Sequence, residues 1–246
     1  MCETTEDRLL GGHVILRQPA DGYRAAVDPV LLAASLRARA GETALDLGCG
    51  VGAAMLSAAA RLDGVRFDGL ELQPHLAALA RSNAAANGVQ DRVRVFTGDI
   101  LAPPAEIRPD GYHHVFANPP YLGAERGNPP PDPSKRAAHV EGDAGLGDWV
   151  RQALKFCRTK GSITFIQRAD RLAELLAHLD GPAGEIVVFP LWPRAGQPAG
   201  RVIVRARKGI RTPLALAPGL ALHEADGRYT QAADAALKGG ALSLII

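Results

Sequence analysis

Residues 44–52 constrain this chain more than any other stretch. Ala44-Leu45-Asp46-Leu47 reads as a short apolar strand broken by one acid, and Gly48-Cys49-Gly50-Val51-Gly52 follows directly. Residues 53–62 are helix-prone. Strand, glycine loop and helix form the first half of a nucleotide-binding crossover, which commits the chain to a parallel sheet flanked by helices. The pattern then repeats. Residues 65–71 read as a second strand ending on Glu71, and Gln73-Pro74 opens an Ala/Leu helix that stops at Asn87-Gly88. Residues 92–96 alternate charged and apolar groups as a third strand, which ends at Thr97-Gly98-Asp99-Ile100. Residues 112–117 are a fourth, hydrophobic strand.

The flanks are less regular. Residues 9–18 predict a short hairpin turning on Gly11-Gly12. Asp28 followed by Pro29 predicts a helix start, with the carboxylate capping free N–H groups. Residues 122–145 are irregular, with Asn128-Pro129-Pro130-Pro131-Asp132-Pro133 at their centre and Lys135, Arg136 and His139 beyond. A loop this long inside a compact unit is expected to be a mobile substrate loop. Helices are predicted over 146–157 and 169–179, and strands over 161–166, 185–190 and 201–207. The connection 191–200 is too short for a crossover helix, so the last two strands should pair antiparallel. The tail from Leu220 reads as a strand piece and a short helix. No repeat or linker divides the chain. It is expected to be one domain over 1–246, with residues 1–40 as an extension covering the cleft beside the glycine loop.

The glycine loop alone is weak evidence for a ligand, because its spacing is Gly-x-Gly-x-Gly rather than the Gly-x-Gly-x-x-Gly of dinucleotide sites. The acids sharpen it. Glycines let the backbone approach a ligand closely. Glu71, at the end of the second strand, is placed to accept from both hydroxyls of a ribose. Asp99, ending the third, can accept from an exocyclic adenine amine. Asp46 would attract a cationic group beside the loop and repel a pyrophosphate. An adenosine carrying positive charge, S-adenosylmethionine, suits this set better than NAD.

The fourth strand ends in Asn118-Pro119-Pro120-Tyr121. An Asn amide and a rigid backbone without N–H donors can hold a planar NH2 group from two sides. The aromatic ring can hold its plane. A methyl donor beside an amine clamp makes a coherent pair.

Residues 44–52, Glu71, Asp99 and 118–121 resemble the class I S-adenosylmethionine-dependent methyltransferases that modify planar nitrogens. Residues 23–34, 201–209 and 222–230 extend the likeness toward the bacterial tRNA1(Val) (adenine-N6)-methyltransferases. The resemblance implies a doubly wound α/β fold with a mostly parallel seven-stranded sheet, in which the strand at 201–207 is the antiparallel one. It implies a cofactor site of Asp28, Asp46, Gly48, Gly50, Glu71, Leu72, Asp99 and Ile100. It implies catalysis by Asn118, Pro119, Pro120 and Tyr121, with the ring of Tyr121 stacked on a flipped-out adenine. The implied cofactor is S-adenosylmethionine and the implied partner tRNA, with the adenine 3′ of the anticodon as target. No metal and no obligate protein partner are implied.

Composition bears on the partner and the compartment. The formal net charge is only +2, so nucleic acid must be met by local basic patches. Arg201, Arg205, Arg207, Lys208 and Arg211 are one candidate, with alternation placing Arg201, Arg205 and Arg207 on one side of their strand. His113 and His114 are read as strand residues. Cys2, Cys49 and Cys157 are scattered without CxxC spacing, which fits reduced cytoplasmic thiols and argues against zinc. The N-terminus is acidic, the reverse of an export signal, and no apolar stretch reaches membrane-spanning length. Other readings remain open. Protein-glutamine methylation of release factors shares the Asn-Pro-Pro-Tyr signal but normally comes with a separate N-terminal helical domain. Ribosomal RNA guanine-N2 methylation and DNA adenine methylation are two more. A non-catalytic RNA-binding or partner subunit would have no need of Asp46, Glu71, Asp99 and Asn118 together.

Overall fold

The computed structural model describes residues 3–21, 24–120 and 144–244. Tyr121 and most of the 122–145 segment, with Lys135, Arg136 and His139, lie outside the described residues. An N-terminal hairpin pairs β1 (Thr4–Leu9) with β2 (Val14–Pro19) around a single 3-10 turn. Its strands run further out than the predicted 9–18, because the Gly11-Gly12 turn sits at its tip rather than inside one arm.

The sheet is built from β3 (Thr43–Leu47), β4 (Arg66–Glu71), β5 (Val93–Thr97), β6 (Tyr112–Ala117), β7 (Cys157–Arg168), β8 (Ala183–Arg194) and β9 (Arg201–Lys208). Two short tail strands, β10 (Ala215–Leu216) and β11 (Leu220–His223), add to β8 in parallel. The order is β10-β8-β9-β7-β6-β3-β4-β5, with β11 also on β8. β9 is antiparallel to both neighbours, as expected. The seven-stranded core is therefore present and the tail widens it to nine.

Alternate residues along each strand feed opposite helix layers. Ala44, Phe67 and Phe116 face α1 (Val27–Ser35), α2 (Ala53–Arg61), α3 (Pro74–Ala86) and the tail helix α6 (Gln231–Leu237). Leu45, Leu47, Val115 and Ala117 face α4 (Leu146–Phe156) and α5 (Leu172–Leu179). Helices on both faces make the fold doubly wound. No helix among the described residues is long and apolar enough to cross a membrane.

One prediction is corrected at α1. The helix begins a residue early, at Val27, and Ala26 occupies the cap position without a side-chain hydrogen bond. Asp28 lies inside the first turn, where its carboxylate stands 3.1 Å from Nε of Arg201 on β9. An ion pair to a distant strand has taken the carboxylate away from capping.

The hairpin is held by two asparagines of α3 and its C-terminal cap. Asn87 accepts from the Ile15 N–H at 2.8 Å and donates to the Ile15 carbonyl at 2.7 Å. Asn83, fully buried, accepts from the Arg17 N–H at 2.9 Å and donates to the carbonyls of Arg17 and Val51. One side chain thus ties the N-terminal hairpin to the glycine loop. Asn83→Ala would strand three backbone groups and should cost about 2–4 kcal/mol of stability. A urea midpoint lowered at constant m-value is the expected readout; an unchanged midpoint would mean water replaces the amide without penalty.

Candidate functional site

β3 pairs with β4 on one side and β6 on the other, so the strand order reverses between β3 and β6. Ligands of open α/β sheets bind at such a switch point, beyond the carboxyl ends of the strands. Leu47 is in register with both Leu70 and Ala117, and Glu71 with Thr97. Gly48, Glu71, Gly98-Asp99 and Asn118 therefore emerge at one level along one edge. The predicted residues that are described meet along that edge, and Asp28 is tied to it through Arg201, which pairs with Arg168 at the carboxyl end of β7.

The glycine loop is folded by contacts on both sides. Gly48, Gly50 and Gly52 have φ of +68°, +56° and +90°, a region that side chains disfavour. A Cβ on Gly48 would lie 2.5 Å from the Trp149 ring of α4. A Cβ on Gly50 would meet nothing within 4 Å, so the loop faces open space there. The N–H groups of Gly48 and Cys49 donate to the Leu70 carbonyl at 2.8 and 3.0 Å.

Glu71 is buried and accepts from the Gly50 N–H at 2.9 Å and the Gln73 N–H at 2.8 Å. Burial nevertheless holds its carboxyl above the usual range. Leu72, beside it, is 62% exposed, an apolar side chain offered to the cleft rim. Asp99 is half-buried, and its Oδ1 accepts from the Leu101 N–H at 2.8 Å, capping the turn. Its other oxygen has no hydrogen bond among the described residues. Ile100 is buried in the core beside Leu45, Leu47 and Leu70, so its side chain supports the site from behind.

Two buried acceptors stand out. Asp46 is 2% exposed, and its Oδ2 has no hydrogen-bond partner among the described residues. Burial raises its pKa well above the ordinary value, the Met55 N–H pulls the other way, and the Glu71 carboxylate adds to the rise. The second acceptor is Oδ1 of Asn118, also buried and without a partner among the described residues. Buried polar atoms are almost always satisfied in folded proteins. An unpaired carboxylate beside a glycine loop fits a cationic adenosine, and an unpaired amide oxygen at the next strand end fits an N–H donor. Pro119 is buried, and the Pro120 carbonyl accepts from Nε2 of Gln167 at 3.4 Å, which anchors the turn to β7.

The family model for the methyltransferase small domain matches residues 25–128. Two curated relatives are tRNA1(Val) (adenine(37)-N6)-methyltransferases. The one from Porphyromonas gingivalis strain W83 is 32% identical over 168 residues, 64% of each chain. The one from Actinobacillus pleuropneumoniae serotype 7 is 29% identical over 213 residues, 83% of this chain and 84% of its own. A crystal structure from Agrobacterium tumefaciens, described as a predicted O-methyltransferase, superposes with a TM-score of 0.74 at 26% identity. It covers 88% of this chain and 98% of its own. The chain is similar to S-adenosylmethionine-dependent methyltransferases over most of its length. Its alignment spans just under two thirds of the Porphyromonas relative's length.

Several contributors escaped the sequence reading. A Cβ on Gly69, inside β4, would sit 2.8 Å from Sγ of Cys49, and a glycine within a strand is itself a signal of close approach. Trp149 carries no local signal, since it reaches the loop from a helix far along the chain. Cys49 is buried and free; burial first, then the Asp46 and Glu71 carboxylates, push its thiol well up, so it stays protonated. His113 and His114 are strand residues, as expected. His114 bonds Glu42 at 2.8 Å and Ser162 at 2.7 Å, and His113 bonds Thr43. The basic strand is largely spoken for: Arg207 pairs with Glu185, and Lys208 with Asp110. Among the described residues no group of His, Cys, Asp and Glu is arranged to hold a metal.

The raised pKa of Asp46 sets a pH dependence for the ligand-free protein. The folded state holds the proton more tightly than the unfolded chain, whose value is near ~3.9. The contribution to stability is thus full below that value and is lost as pH rises through the folded pKa. Glu71 acts in the same direction. Asp46→Asn should therefore make the ligand-free protein more stable than the wild type at pH 7 and flatten the loss above pH ~4. Thermal melts across that range decide it; a less stable variant with an unaltered pH profile would contradict the burial argument.

Proposed function

We propose that this protein transfers the methyl group of S-adenosylmethionine to the exocyclic N6 of an adenine in tRNA, the adenine 3′ of the anticodon in tRNA1(Val). The observation that carries the reading is the buried Oδ1 of Asn118, without a partner among the described residues and one residue beyond the Leu47–Ala117 pair, at the level of the glycine loop. The similarity to tRNA1(Val) (adenine(37)-N6)-methyltransferases supports the choice of nucleic acid and base.

When bound, S-adenosylmethionine supplies an electrophilic methyl on a cationic sulfur. The chain's own residues do the remaining work. Asp46 offers a negative charge to the donor's cationic groups, Glu71 accepts from the ribose, and Asp99 accepts from the adenine. Leu72 covers an apolar face of the donor's adenosine. The amine of the target base is a poor nucleophile, because its lone pair is spread into the ring. Oδ1 of Asn118 accepts one of its N–H groups and the Pro119 carbonyl accepts the other. With both protons held, the lone pair is aimed at the methyl. Pro119 and Pro120 have no N–H to compete for these acceptors and keep the backbone stiff. Tyr121 supplies the stack that holds a flipped base, worth roughly 1–3 kcal/mol. No strong base is required, because the amine becomes acidic once alkylated and its proton leaves to solvent. Most of the rate enhancement then comes from alignment.

The test is incubation of the protein with tritiated S-adenosylmethionine and either unmodified tRNA, ribosomal RNA, DNA or release factor, followed by digestion. N6-methyladenosine from tRNA is expected. Label recovered only as methyl-glutamine would reassign the substrate to protein. Label recovered only as methylguanine would reassign the target base.

Two substitutions should separate the halves of the site. Asn118→Ala should lower kcat by at least about 100-fold, since the amine loses its orientation, with cofactor affinity nearly unchanged. Asp46→Asn should do the reverse, weakening cofactor binding strongly. Calorimetric titration with S-adenosylhomocysteine beside single-turnover rates reads both; a large loss of cofactor affinity in Asn118→Ala would remove it from the clamp role.

A further inference from the structure

The end of the sheet opposite the cofactor cleft carries a second concave site. It lies at the start of β3 and β6, where Glu42, His113 and His114 sit, and beside Gly161 and Ser162 of β7. Its volume is about 570 Å3. That size falls in the range of small-ligand sites, roughly 300–1,000 Å3.

The lining is strongly one-sided in charge. Six cationic side chains face it: Arg37, Arg39, Arg61, Arg158, Lys160 and Arg207. Glu42 is the one acid in the lining, while the whole chain has a formal charge of only +2. Glu42 is already engaged, by His114 at 2.8 Å and by the Arg39 N–H at 2.8 Å. Two of the cations are structural. Arg61 donates to the carbonyls of Gly239 and Ala33, and Arg207 pairs with Glu185. The other four are different. Arg37, Arg39, Arg158 and Lys160 are exposed, and none has a side-chain hydrogen bond or ion pair among the described residues.

Their crowding is felt by their neighbours. Burial first, and then the charge of Arg37, lower the pKa of Arg61. Burial and then Arg158 hold His113 below the usual histidine range. His113 adds a donor of its own. Its Nδ1 lies 3.2 Å from the Thr43 N–H and accepts from it, so the neutral ring carries its proton on Nε2. Lys160 is held at φ +64°, a conformation uncommon outside glycine, while its carbonyl accepts from Nε and Nη2 of Arg207 at 3.1 and 3.0 Å. The backbone is pinned in a disfavoured state with its lysine at the rim of the cavity, a kind of outlier that gathers at ligand sites.

We propose that this cavity binds phosphate groups. Four unpaired cations in one concavity suit a multiply charged oxyanion better than a single carboxylate, and arginine's planar fork matches phosphate oxygens. The ligand is either a small phosphorylated molecule seated in the cavity or the backbone of an RNA held against it. Both present the same chemistry. The proposal does not depend on which base, or which substrate, is methylated at the other end of the sheet.

The test is titration of the full-length protein with inorganic pyrophosphate, and separately with a tRNA transcript, at several salt concentrations. Wild type is compared with Arg158→Glu/Lys160→Glu and with Arg37→Ala/Arg39→Ala, pairs on separate segments. Unchanged S-adenosylhomocysteine affinity confirms that each variant is folded. A small phosphorylated ligand predicts saturable pyrophosphate binding, weakened at least tenfold in both variants, with tRNA affinity unaltered. An RNA backbone predicts a smaller salt slope for tRNA, by about one unit for each phosphate contact removed. Pyrophosphate binding that is absent from wild type or untouched by both variants, together with an unaltered tRNA slope, overturns the site.

Discussion

The pairing of β3 with β6 is the contact on which the site depends. It sets Leu47 opposite Ala117, and so brings the glycine loop level with Asn118 although the two lie far apart in the chain. It also fixes which face each side chain takes. Asp46 pairs with Phe116 on the α2 side, while Leu45 and Leu47 point to α4 and α5. A slip of one residue would drive the carboxylate into the leucine layer. The large apolar residues on both faces, Phe116 and Phe67 on one and Leu45 and Leu47 on the other, make that slip prohibitive. Core packing is therefore what aims the cleft.

That rigidity lets the protein carry groups that oppose folding. A buried acceptor without a partner costs about 1–3 kcal/mol, and among the described residues Asp46 and Asn118 each carry one. Neither could be relieved by a small local shift, because each is attached to the end of a fully paired strand. Glu71 illustrates the alternative. Its two oxygens are held by the Gly50 and Gln73 N–H groups, so it spends part of its capacity on shaping the loop and keeps the remaining lone pairs for a ligand. The two acids divide the labour: Glu71 builds the cleft, and Asp46 keeps an oxygen without a partner among the described residues.

The main elements were legible in the sequence because the signals were local. Alternation and short apolar runs located the strands, and the glycine loop and the acids at 46, 71 and 99 located the cleft. Where a rule of local chemistry met a distant charge, it failed. Asp28 has the sequence of a helix cap, yet Arg201 from β9 claims it. The same bond explains why the basic strand looked like a free surface: alternation was read correctly, but the partners Asp28, Glu185 and Asp110 come from three other segments. Trp149 beneath Gly48 and Asn83 between the hairpin and Val51 were invisible for the same reason. Each is a single side chain whose meaning comes wholly from what the fold places next to it.

The two ends of the sheet are electrostatic opposites. Unsatisfied acceptors gather where the parallel strands finish, and unpaired cations gather where they begin. A strand of five or six residues is roughly 17–20 Å long, about two Debye lengths at physiological salt. Exposed heads such as Arg158 and Lys160 therefore exert little field on Asp46 through solvent, and the two ends are electrostatically independent. Coupling between them needs a physical link: a shift of β3, β6 or β7 along its length, or one ligand long enough to touch both ends. The unbroken register of β3 on β6 argues against the first for those two strands. A nucleic acid, unlike a small phosphate, satisfies the second.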